Sequence, residues 1–123
     1  MSKEHPVLTQ EQVDQILQPL ENTRAKIGGE CLMKALEIIN GKRRDNYGTP
    51  EDSFNRIADY WNNYLRHMNL LNTDANILSK DVAMMMVLFK IARLENGYTK
   101  DSCIDICGYT AIYDDFHKNS EVE

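Results

Sequence analysis

The sequence predicts an all-α protein, a bundle of four to five helices, and three observations carry that reading. Apolar residues recur at three- and four-residue spacing in successive segments. The three prolines, Pro6, Pro19 and Pro50, each flank a periodic segment and none falls inside one. No segment alternates with period two for long enough to make a convincing strand.

The first helix is predicted from Thr9, where Gln12 completes a capping box, to about Leu17, with a stop before Pro19. The second starts at about Arg24 or Glu30 and ends at Asn40. Leu32, Leu36 and Ile39 share one of its faces, and Gly41 is a plausible left-handed terminator. After a polar segment, Thr49 caps a third helix. Pro50 takes its first position, and Glu51 and Asp52 complement the helix dipole. Phe54, Ile57, Ala58, Trp61 and Leu65 form its apolar stripe. Residues 68–78 read as a connection. Ser79 is the predicted cap of a fourth helix, Lys80 to Glu95, ended by Asn96-Gly97. Thr99 caps a fifth, from Lys100 to about His117.

The middle of the fourth helix, VAMMMVLF, is apolar nearly all round. Such a helix must be covered on several sides, by its own fold or by a second subunit, so a dimer or higher homo-oligomer is expected. The expected organisation is an N-terminal extension with a short helix over 1–22, a helical domain over 23–118, and a disordered tail over 119–123.

Bulk properties narrow the function classes. The 123 residues are one domain's worth of chain, with 42% hydrophobic and 27% charged residues. The formal charge is -5, so non-specific nucleic-acid binding is not expected. No apolar run approaches the ~20 residues of a membrane span. The opening MSKEHPVLTQ lacks the apolar core of a secretory signal. Cys31, Cys103 and Cys107 are an odd count, which fits reduced thiols in a cytoplasmic setting. The acid excess sits in residues 51–123, whereas Lys42, Arg43 and Arg44 cluster between two predicted helices as a local anion-binding candidate.

Three motifs have a functional and a plain reading. In Arg43-Arg44-Asp45-Asn46-Tyr47-Gly48, paired guanidiniums beside a turn could hold a phosphate through forked hydrogen bonds, or form a solvated loop turned by Gly48. Asp101 and Asp105 lie one helical turn apart. They could point at one Mg²⁺, or serve the helix dipole and pair with a base. Lys90 and Arg93, on the greasy fourth helix, need either Asp101 and Asp105 as partners or a ligand phosphate. Cys103, Cys107 and Cys31 do not have zinc-knuckle spacing, and cysteine is a common core residue. His5, His67 and His117 stand at no recognisable spacing from a nucleophile.

The order of the pieces carries a resemblance. The chain reads R-R-D-N-Y-G, P-E-D-S-F, I-A-D-Y-W, D-V-A-M-M-M-V-L-F-K-I-A-R-L and K-D-S-C-I-D-I-C-G-Y. Over about residues 30–113 this resembles a family of small domains of unassigned function carried by bacteriophages and prophages. That family is in turn similar to the MazG-like, all-α nucleoside triphosphate pyrophosphatases. The likeness implies a MazG-like dimeric bundle in the cytoplasm of a bacterial host. It implies Mg²⁺ on carboxylates of antiparallel helices, bridging substrate phosphates. Here the carboxylates are set differently: Asp101 and Asp105 replace an E-x-x-D, and Glu30 and Glu37 stand seven apart where an E-x-x-E would be.

Two functions follow from these readings. One is a nucleotide-binding protein, with Arg43, Arg44, Tyr47, Lys90 and Arg93 on the nucleotide. Asp101 and Asp105 would hold Mg²⁺ for hydrolysis of a triphosphate or related phosphoanhydride. The alternative is a non-catalytic phage anti-defence protein that sequesters a host nucleotide signal or binds a host defence protein.

Overall fold

A computed structural model of the chain describes residues 7–22, 29–41, 45–46 and 48–120. Five helices follow one another: α1 (Gln10–Asn22), α2 (Gly29–Asn40), α3 (Pro50–His67), α4 (Ser79–Leu94) and α5 (Lys100–Ser120). Among the described residues there is no strand. The long α5 packs against α4 and α2, α3 packs against α4, and α1 docks on α2.

The core forms where the stripes of α3, α4 and α5 meet. Phe54 and Ala58 of α3, Val82, Ala83 and Val87 of α4, and Tyr109 and Phe116 of α5 are buried together, with Trp61 and Met86 packed at its edge. Phe54 lies at the centre. Its ring is 5.7 Å from that of Phe116, edge to face, and 6.1 Å from that of Tyr109. Aromatic pairs favour such tilted arrangements over flat stacking.

Helices α1, α3 and α5 start as their first residues dictate, and α4 is an exception. In α1 the Thr9 hydroxyl accepts from the Gln12 N–H at 3.1 Å, and Gln12 Oε1 accepts from the Thr9 N–H at 2.9 Å. Thr49 accepts from the Asp52 N–H at 3.2 Å, with Pro50 following as the first helical residue. Thr99 accepts from the Ser102 N–H at 3.3 Å. The exception is α4, where Ser79 is not the cap but the first helical residue. The cap position is Leu78, whose N–H donates to Asp81 Oδ2 at 2.9 Å. The Asp81 carboxylate, reaching back three residues, satisfies the Leu78 N–H, while the Leu78 side chain has no oxygen to accept from the first-turn N–H groups.

Four other expectations are corrected. Helix α1 runs through Pro19 to Asn22. Val13 and Leu17 are buried, and their docking offsets the one hydrogen bond that Pro19 cannot donate. Helix α5 continues to Ser120, beyond His117. Leu32 does not share the buried face of α2; it is 60% exposed, and the buried residue there is Ala35. Gly41 follows α2 without a positive φ; a Cβ there would stand 2.7 Å from the Glu37 carbonyl oxygen. The alternative start of α2 at Arg24 lies outside the described residues.

The connection from α3 to α4 is held by α3 itself. Asn69 takes a left-handed φ of 57°, ending α3. The buried Asn62 amide then grips the backbone of Ile77 twice, donating to its carbonyl at 2.9 Å and accepting from its N–H at 2.8 Å. Arg66 donates to the Ala75 carbonyl at 2.6 Å. After α4 the chain turns at Gly97, whose φ is 128°.

Candidate functional site

A cavity of about 350 Å³ opens between α2, the start of α3, and the middles of α4 and α5. Helix α2 supplies Ala35, Ile38 and Ile39. Gly48, at φ 78°, brings the chain to the rim, and Pro50, Ser53, Phe54 and Ile57 follow on α3. The Thr49 cap and Pro50 fix where α3 begins and so place Ser53 and Phe54 one turn in. Met86 comes from α4. Helix α5 supplies Ile104, Asp105, Gly108, Tyr109 and Ile112, a run of three- and four-residue steps along one side. A Cβ on Gly108 would sit 3.7 Å from the Ile39 side chain, an ordinary contact. Alanine therefore fits at 108, whereas a longer side chain would extend into the space.

The walls are mainly apolar, and the carboxylate among them is Asp105. Its Oδ2 lies 2.9 Å from the ammonium of Lys90, with the two side chains 14% (Lys90) and 21% (Asp105) exposed. Lys90 stands one turn beyond Met86 on α4, which puts it beside the cavity rim. A charge-assisted pair this far from water is a strong local constraint.

The structure brings together two of the residues singled out from the sequence and separates two others. Lys90 and Asp105 meet, across the α4–α5 boundary as anticipated. Arg93 does not join them. It follows Phe89 by four residues and so shares Phe89's outer face, with its guanidinium 5.1 Å from that ring's centre. Asp101 is exposed in the first turn of α5. Arg43, Arg44 and Tyr47 lie outside the described residues. In the sequence they fall between Ile39 and Gly48, two residues of the cavity wall.

Of the two carboxylates expected to hold magnesium, Asp105 is engaged by Lys90 and Asp101 is exposed. The Lys90 ammonium already takes the place of a cation on Asp105, and a cation added there would be repelled by it. Among the described residues no group of three or more His, Cys, Asp or Glu side chains could hold a metal ion.

Other features were not legible in advance. Cys31 of α2 and Cys107 of α5 are free thiols with sulfurs 3.8 Å apart. Burial and the neighbouring Cys107 push the Cys31 thiol above its ordinary range. Lys100 of α5 pairs with Glu30 of α2, and that carboxylate raises the Lys100 ammonium. Both links tie α5 to α2. The apolar wall residues left one trace in the sequence: Ala35, Ile38, Ile39 and Gly108 are small or apolar positions that no capping or turn role required.

The comparisons with known proteins follow the same span. The model of a family described as a domain of unknown function, DUF6378, matches residues 30–117. The chain is 43% identical over 82 residues to the Gene 55 protein of Mycobacterium phage L5, covering 66% of this chain and 48% of that protein. It is 39% identical over 79 residues to the Gene 55 protein of Mycobacterium phage D29, covering 63% and 47%. The chain thus spans about half the length of the curated relatives it matches. No solved structure matches it. Among the described residues no helix is long and apolar enough to cross a membrane.

Proposed function

The chain belongs to the DUF6378 family, and on that premise we propose that it binds a nucleotide in the cavity between α2, α3, α4 and α5. The observation that supports this is an apolar space of about 350 Å³ with one largely buried carboxylate, Asp105, at its wall, held by Lys90. Small-molecule sites are concave, mainly apolar and furnished with few polar groups, and this volume lies in their range. The base enters between Ile39, Phe54 and Tyr109. Arg43 and Arg44, between Ile39 and Gly48 in the sequence, are the proposed phosphate contacts, since guanidiniums suit forked contacts to phosphate oxygens.

Retention suits these residues better than cleavage. Asp105 is paired with Lys90, which disfavours it as a general base. A nucleotide that brings its own Mg²⁺ needs no protein-held ion. With relatives in bacteriophages, the matching role is sequestration of a host nucleotide signal.

A panel of nucleoside mono- and triphosphates and cyclic nucleotides, read by thermal shift and calorimetry, tests the proposal, with released pyrophosphate measured in parallel. Binding is expected without turnover. Gly108→Leu is expected to fill the cavity and abolish binding, and Gly108→Ala to retain it. Binding that survives Gly108→Leu in a folded protein places the ligand elsewhere. Magnesium-dependent pyrophosphate release lost in Asp105→Asn supports hydrolysis instead.

We extend the proposal to a second copy of the chain on the outer face of α4. Met85, Leu88, Phe89 and Ile91 are exposed there, on a helix whose inner face is already buried.

A further inference from the structure

We infer that the base taken by this cavity is guanine, and that Asp105, held by Lys90, reads its edge. The inference rests on the nucleotide reading above and names the class of nucleotide.

Asp105 keeps hydrogen-bonding capacity that Lys90 does not use. A carboxylate accepts through two oxygens, with about four lone-pair positions, and it donates nothing when ionised. Lys90 takes one of those positions on Oδ2, at 2.9 Å. Oδ1 and the rest of Oδ2 remain for groups inside the cavity that Asp105 lines. Lys90 does not line the space; its contact holds the Asp105 carboxylate in place from behind. The wall therefore presents two acceptors side by side. Both side chains are about four-fifths covered or more, so a mismatched group here meets little competing water.

The matching edge is two donors side by side. Guanine carries that pair: N1–H and the N2 amine donate next to each other. A single carboxylate can take both donors. Adenine and cytosine present one ring acceptor beside one amine, which leaves a carboxylate oxygen unpaired. Uracil sets a second carbonyl against that oxygen. A buried group left without its partner is what gives polar pockets their discrimination. The remaining walls are consistent with a flat ring. Phe54 and Tyr109 lie on one side of the space and Ile38 and Ile39 on another, and bases stack on aromatic and apolar surfaces.

The charge of the chain favours a free nucleotide over a polynucleotide. The formal net charge is -5, and acidic residues are concentrated after residue 50, in the part that builds α3, α4 and α5. A long phosphate backbone would be repelled, whereas one nucleotide needs only a local cation cluster.

The test uses the full chain and calorimetric titration with four monophosphates, of guanosine, inosine, adenosine and xanthosine. Inosine differs from guanosine only by the missing N2 amine. Guanosine monophosphate is expected to bind tightest, and inosine monophosphate about ten- to a hundredfold more weakly, the loss for one well-made base contact. Asp105→Asn replaces one acceptor with a donor and is expected to move the preference to xanthosine monophosphate, whose O2 accepts. The inosine comparison needs no variant, so the inference stays testable even where Asp105→Asn fails to fold. Equal binding of guanosine, inosine and adenosine monophosphates overturns the guanine assignment and leaves nucleotide binding standing. No binding of any of the four, or of the wider nucleotide panel, overturns both. Tighter binding of a guanine-containing single-stranded oligonucleotide than of the mononucleotide overturns the free-nucleotide assignment.

Discussion

Lys90→Met removes the ammonium and leaves Asp105 behind, and its cost follows from the geometry. The two groups are 2.9 Å apart and 14% and 21% exposed. At an effective dielectric of about 20 the attraction lost is about 6 kcal/mol, against which the cation's own desolvation is recovered. Stripping one partner from a buried pair costs about 3–5 kcal/mol. Asp105 keeps some water through the cavity, so about 2–3 kcal/mol is expected here. For a chain of this length that lowers the midpoint by about 10 °C. Replacing both, with Lys90→Met and Asp105→Leu, is expected to restore most of that loss, because an apolar pair of similar volume is often neutral or stabilising. Urea unfolding of the parent, both single variants and the double variant gives the coupling directly. Nucleotide binding is expected to stay lost in the double variant although stability returns. A Lys90→Met variant within about 0.5 kcal/mol of the parent would mean a solvated pair, and the reading of Asp105 as a desolvated recognition group would fall with it.

Other outcomes are expected elsewhere in the fold. Asn62→Ala leaves the Ile77 N–H and carbonyl without their partners and is expected to cost about 2–4 kcal/mol, with faster hydrogen exchange of the Ile77 amide. Peroxide is expected to join Cys31 to Cys107, the two thiols giving up two hydrogens to form water. The sulfurs must close from 3.8 Å to about 2.05 Å, and the cross-link is expected to add up to about 4 kcal/mol. Non-reducing electrophoresis and mass should show it in the parent and in Cys103→Ser, and not in Cys31→Ser. Because the Cys31 thiol is raised by burial and by Cys107, its alkylation should be slow at neutral pH. The stability linked to that raised thiol is complete below the unfolded pKa and is lost as pH rises through the folded one. Leu88→Lys on the outer face of α4 is expected to turn a dimer into a monomer in sedimentation without unfolding it. A parent that already sediments as a monomer refutes that surface.

The helices were legible because local chemistry sets them. Thr9 with Gln12, Thr49 with Pro50, and Thr99 each announce a start that the structure keeps. Ends were harder, because packing decides them. Val13 and Leu17 carry α1 through Pro19, and Asp81 rather than Ser79 organises the start of α4. Of the candidate site, the Lys90–Asp105 pair was legible, since a cation on a greasy helix demands an acid nearby. Arg93 was not, because four-residue spacing from Phe89 gave it another place to lie. The cavity itself left little trace. It arises from four elements far apart in the chain, and no local pattern records an empty volume.

Helix α5 follows the other four helices in the chain, yet it covers both α4 and α2. While the chain grows from the ribosome, the methionine-rich helix is covered by α3 alone until the residues of α5 emerge. Chaperones would meet the nascent protein in that window. A ligand that fits the finished cavity can engage only after this closing step, so occupancy reports on completed molecules and shelters none of the unfinished ones.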